Sequence, residues 1–75
     1  MEYTKEELFE AKRQIDSIQH KLRETIKTLE SKDNPERYKS QITLAKRRVK
    51  AFEIAKYFIE NEIEKKIGNL ELIDK

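Results

Sequence analysis

Leu8, Ile15, Leu22 and Leu29 recur at a strict seven-residue interval, with Ala11, Ile18 and Ile26 beside them. At roughly 100° per residue these positions fill an arc of only about 80°, the narrow seam of a helix that packs against one partner. Just ahead of them stands Thr4-Lys5-Glu6-Glu7. This is a capping-box sequence, in which the Thr4 hydroxyl accepts from the Glu7 amide and the Glu7 carboxylate accepts from the Thr4 N–H. Tyr3 and Leu8 occupy the two hydrophobic-staple positions around it, and Glu6 and Glu7 suit the positive end of the helix dipole. The pattern predicts a first helix over about residues 4–31.

Ser31-Lys32-Asp33-Asn34-Pro35 interrupts the periodicity. Asn34 is a favoured N-cap, and Pro35 fits the first helical position, where no amide partner is lost. A turn over 32–34 is short enough to force the flanking helices to run antiparallel and side by side. A second helix is then predicted over about 35–67, ending at Gly68 as a C′ stop with Lys65 and Lys66 in its last turn. Residues 68–75 form a short tail that either folds back or continues the helix.

The second helix carries two heptad rows, Tyr38-Ala45-Phe52-Ile59 and Ile42-Val49-Ile63, the latter interrupted by Lys56. A further apolar set, Leu44, Ala51, Ala55 and Phe58, lies about 100–140° around the wheel from that seam, so the apolar arc spans roughly 200°. One partner helix cannot cover it. Counting outward from the short turn sets Leu29 by Tyr38, Leu22 by Ala45, Ile15 by Phe52 and Leu8 by Ile59. The same count puts Lys56 opposite Ala11, within reach of Glu7 and Glu10, and Arg48 near Asp16 and Gln19.

The fold class expected is therefore all-α: a single antiparallel helical hairpin over residues 1–75 with a coiled-coil-like seam. Leu44, Ala51, Ala55 and Phe58 are the expected interface through which it dimerises into a four-helix bundle. The small side chains at 51 and 55 allow close approach, and a symmetric dimer is the commonest closed solution. A partner helix from another protein is the second option, and cover by the 68–75 tail the third. In the assembly, Tyr38, Leu44, Phe52 and Phe58 are the expected anchors.

Composition narrows the function. The chain is 43% charged and 36% hydrophobic, with one Gly, one Pro and no Cys. That excludes a disulfide scaffold and a Cys-based zinc module. No run of about 18 uncharged apolar residues is present, so no membrane span is expected. MEYTKEE has neither the basic start nor the apolar run of a secretory signal, and a cytoplasmic location is the expectation. Net charge is only +2, but it is unevenly spread. Arg37, Lys39, Lys46, Arg47, Arg48 and Lys50 lie in a stretch, 37–52, that holds no acid. Lys39, Lys46 and Lys50 fall within about 40° on the wheel, with Arg47 alongside, and make a candidate nucleic-acid ridge. A doubled ridge on paired hairpins is similar in shape to RNA binders of the repressor-of-primer type, with no motif in common. Acidic residues from Glu53 onward and the lack of an interleaved aromatic count against it.

Catalytic constellations are scarce. His20 is the sole histidine and falls on the far side of the first helix from its seam; Asp16, one turn away, is its only candidate co-ligand. Bundle di-iron sites need Glu-x-x-His pairs, and here Ser17 stands three before His20. A single glycine cannot build a phosphate-cradling loop. Lys12-Arg13-Gln14-Ile15-Asp16-Ser17-Ile18 resembles the first helix of the all-helical chorismate mutases, whose pattern is Arg-x-x-Ile-Asp-x-Ile-Asp. Lys12 stands at the arginine and Gln19 at the second aspartate, while the family's later arginine and third helix find no counterpart. The eight-residue match is read as coincidence. No catalytic residue, metal, cofactor or small-molecule substrate is expected. The sequence points to a non-enzymatic interaction or scaffold module that acts by homodimerisation or on a partner helix, with nucleic-acid binding along the second helix as the alternative.

Overall fold

The computed structural model describes residues 2–74, with side chains as far as residue 68. The chain is an all-α helical hairpin: α1 spans Lys5–Glu30, a 3₁₀ turn spans Pro35–Tyr38, and α2 spans Lys39–Asp74. Among the described residues there is no strand. At about 1.5 Å per residue α2 is roughly 54 Å long and α1 roughly 39 Å, so the longer rod overhangs the shorter one. The molecule measures 60 × 19 × 15 Å.

α1 begins as its sequence dictates. The Thr4 N–H donates to Glu7 Oε1 at 2.9 Å, and the Glu7 N–H donates to Thr4 Oγ1 at 3.1 Å. At the other end the Ser31 amide donates to the Lys27 carbonyl, and its hydroxyl donates to the Thr28 carbonyl. These bonds satisfy carbonyls that the ending helix would leave without partners.

The connection differs from a simple α-helical restart. Pro35 does take the first helical position, but the turn it opens is 3₁₀, closed by the Arg37 N–H on the Asn34 carbonyl, and the Asn34 side chain makes no capping bond. A 3₁₀ turn advances about 120° per residue rather than 100°. The extra rotation falls on residues 35–37, and Tyr38, at the end of the turn, is half-buried like Phe52 and Ile59 of its row.

Gly68 does not stop α2. The helix continues through it to Asp74, with no positive φ at the glycine. The backbone over 68–74 thus continues the rod and does not fold back on it. Beyond Asn69 the sequence returns to leucine and glutamate, both good helix formers.

Leu8, Ala45 and Ile63 are buried between the rods. Ile15, Leu22, Ile26 and Leu29 on α1, with Ile42, Val49, Phe52 and Ile59 on α2, are half-buried. The heptad rows thus form the seam.

Lys56 finds a different partner from the one counted outward from the turn. Lys56 reaches Asp16, at 2.8 Å, and not Glu7 or Glu10. Lys12 pairs with Glu60 at 3.1 Å, Arg23 with Glu53 at 3.4 Å and Glu30 with Lys46 at 3.2 Å. Side chains on each helix lean toward that helix's N-terminus, so in an antiparallel pair these long polar side chains meet diagonally across the seam.

Candidate interaction surface

The cross-helix ion pairs all fall on one flank of the hairpin. Lys12, Asp16, Arg23 and Glu30 project from one side of α1, and Glu60, Lys56, Glu53 and Lys46 meet them in descending order from α2. Within this ladder the deepest polar group is Gln19, which is 0% exposed. Its Nε2 donates to the Val49 carbonyl, and its Oε1 accepts from Lys56 Nζ, each at 3.2 Å. Lys56, the residue that breaks a heptad row, is therefore part of the seam. It lays its stem between the rods and sets its ammonium on Asp16 and Gln19. Hydrogen bonding from Lys56, reinforced by its charge, holds the Asp16 carboxyl below the usual range. Arg48, expected near Asp16 and Gln19, lies next to the Val49 carbonyl that Gln19 bonds, but its side chain is exposed and Lys56 makes the contact to Asp16.

The opposite flank is apolar and open. Phe58 is 65% exposed and Leu44 48% exposed; Ala51 is exposed and Ala55 half-buried. Of the four residues expected to form an interface, Leu44, Ala51 and Phe58 are thus exposed on the outward side of α2, and Ala55 is partly covered by its own chain. Tyr38 and Phe52 are half-buried in the hairpin. Tyr57 packs edge-on against Phe58, with ring centroids 5.4 Å apart.

Where this strip meets the start of α1, the two rods open into a groove of about 820 Å³. Leu8, Ala11, Phe58 and Ile59 form its floor. Glu6, Glu7, Glu10 and Glu62 stand around it, with Tyr3 at its end. Two of these acids are engaged locally: Glu7 closes the capping box, and Glu10 accepts from Gln14 and Arg13. Those bonds, the one from Gln14 first, lower the Glu10 pKa. The composition gave each of these acids as one more charge on a charged helix. Glu6, Glu7 and Glu10 share the first turns of α1, and the antiparallel pairing adds Glu62 and the α2 part of the apolar floor.

Surface area expresses the same openness. The chain exposes 6312 Å², whereas a globular monomer of 9.1 kDa exposes about 4,900 Å² on average. The excess, about 1,400 Å², reflects the elongated 60 × 19 × 15 Å shape and the overhang of α2 together with the open strip.

Lys39, Lys46, Arg47 and Lys50 are all exposed. Two of the four face carboxylates: Lys46 holds Glu30 at 3.2 Å, and Lys50 lies 4.0 Å from Glu53. His20 is exposed too, and among the described residues no group of three His, Cys, Asp or Glu side chains converges on a point. No helix among the described residues is long and apolar enough to cross a membrane. Comparison with protein-family models, with curated proteins and with solved structures finds no match.

Proposed function

We propose that this hairpin is a non-enzymatic interaction module that acts by self-association through the outward strip of α2. The observation that carries the reading is Phe58, a large aromatic left 65% exposed in line with Leu44, Ala51 and Ala55. Burying such a ring is worth about 1.5–3 kcal/mol, and its own chain leaves most of that unrealised. The two alanines keep the middle of the strip flat, so a second helix can approach closely there. A second copy brings the same strip and closes a four-helix bundle by two-fold symmetry.

Phe58→Asp tests this. The side chain is outside the seam, so the substitution should act on association: single-chain mass at concentrations where the original protein is dimeric, with helicity and melting temperature lowered alongside. Leu44→Asp should act in the same way at the other end of the strip. Unchanged mass and melting in both variants would place the interface elsewhere. The alternative function, binding of RNA or DNA along Lys39, Lys46, Arg47 and Lys50, draws on four exposed cations, but carboxylates already compete for two of them.

A further inference from the structure

We infer that the two copies pair antiparallel, with the basic end of each outward strip seated in the acid-rimmed groove of the other. This rests on the self-association proposed above and adds its orientation, its register and the charges that select it.

The strip is electrically lopsided. Leu44 and Ala51 at one end are flanked by Arg47 and Arg48, and neither arginine takes part in an ion pair among the described residues. Toward the other end, Phe58 and Glu62 belong to the groove that Glu6, Glu7 and Glu10 also line. Glu62 is held only by a 4.0 Å contact to Lys65. A basic apolar segment and an acidic apolar groove thus sit on the same side of one molecule, about 21 Å apart along the helix at roughly 1.5 Å per residue.

A two-fold axis across α2 at Ala55 relates these features to one another. Ala55 then faces Ala55. Phe58 seats over Ala51 of the second copy, a large side chain on a small one, and the reciprocal contact is made at the same time. Arg47 and Arg48 come level with Glu62 of the second copy and with the groove that Glu6 lines. Leu44 falls beside the stems of Lys65 and Lys66. A parallel pairing would instead set Phe58 against Phe58 and leave Arg47 and Arg48 beside their own duplicates, a like-charge contact. Shape and charge therefore select the same orientation.

The test uses two full-length variants and their mixture. One carries Arg47→Glu with Arg48→Glu; the other carries Glu6→Lys with Glu62→Lys. Each variant alone sets like charges together at both ends of the interface. Its dimer dissociation constant should rise by at least roughly tenfold over the unsubstituted protein. In the equimolar mixture, the acidic segment of one chain meets the basic groove of the other, and the untouched basic segment meets the untouched acidic groove. The mixed dimer should return to within about threefold of the original affinity. Circular dichroism at high concentration checks that each variant keeps its helices. If either variant dimerises as well as the original protein, or if mixing restores nothing, the antiparallel seating is wrong while self-association stands. If the unsubstituted protein is monomeric at every concentration, both proposals fall together.

Discussion

Gln19 and Lys56 meet inside the seam: the Lys56 ammonium donates to Gln19 Oε1 at 3.2 Å, and the Gln19 side chain is wholly enclosed. Two polar residues thus stand where a heptad pattern calls for apolar ones. Both polar atoms of the amide are engaged, one by Lys56 and the other by the Val49 carbonyl. Gln19→Ala removes both bonds and leaves a void. The expected loss is about 1–3 kcal/mol, read from chemical denaturation. Gln19→Leu fills the void with apolar volume and leaves Lys56 on Asp16, so it should cost less than the alanine variant. Equal stability of the alanine variant and the original chain would show that the seam does not depend on this contact.

Acid should weaken the hairpin through Asp16. Its carboxyl is lowered from an ordinary value of 3.8, by hydrogen bonding from Lys56 first and by charge second. A carboxyl lowered on folding contributes stability above its unfolded value, and that contribution disappears as pH falls through its folded value. Melting temperature should therefore decline as the solution is taken below about pH 3.8. Asp16→Asn should flatten part of that decline while lowering stability at neutral pH. A variant with the same pH profile as the original protein would assign the decline to other carboxylates.

Gly68 gives a prediction with opposite signs for its two readings. As a helix-interior residue without positive φ, and with no atom within 4 Å of an added Cβ, it should accept alanine freely. Gly68→Ala should then raise helicity and add up to about 1 kcal/mol. A helix ending at that glycine in the left-handed conformation would instead lose stability on the same substitution.

The exposed cations of α2 separate the two functional readings. If the ridge binds nucleic acid, affinity should fall steeply with salt, and the triple variant Lys39→Gln, Lys46→Gln, Lys50→Gln should reduce that slope. The interaction-module reading expects the triple variant to dimerise as before, and RNA and DNA to bind weakly at low salt with no dependence on these three positions. A fluorescence titration at two salt concentrations distinguishes the outcomes.

What the sequence discloses here follows the range of the interactions involved. The capping box at Thr4 and Glu7 and the seam rows rest on neighbours within one or two turns and are found where the pattern places them, except Ile18, which stands at the edge of the α1 arc and is 40% exposed. The outward strip is legible for the same reason, since helical period alone separates Leu44 and Phe58 from Ile42 and Phe52. Register is a longer-range property. The count from the turn sets Gln19 level with Arg48, one residue from the Val49 carbonyl that it bonds, but a count of levels does not give the diagonal reach of Lys56 to Asp16. Lys56 reads as an interruption because a heptad count treats lysine as polar throughout, although its stem is apolar. The same count leaves Gln19 unremarked. The acid-rimmed groove was hidden because Glu62, Phe58 and Ile59 come to Glu6, Glu7 and Glu10 from the far end of the chain.

The most direct measurement is sedimentation equilibrium over a broad dilution series, with helicity recorded on the same samples. A chain of 9.1 kDa that closes its outward strip on a second copy should sediment at twice that mass when concentrated. On dilution it should fall to single-chain mass and lose helicity in step. A single-chain mass at every concentration, with helicity unchanged, would contradict the account.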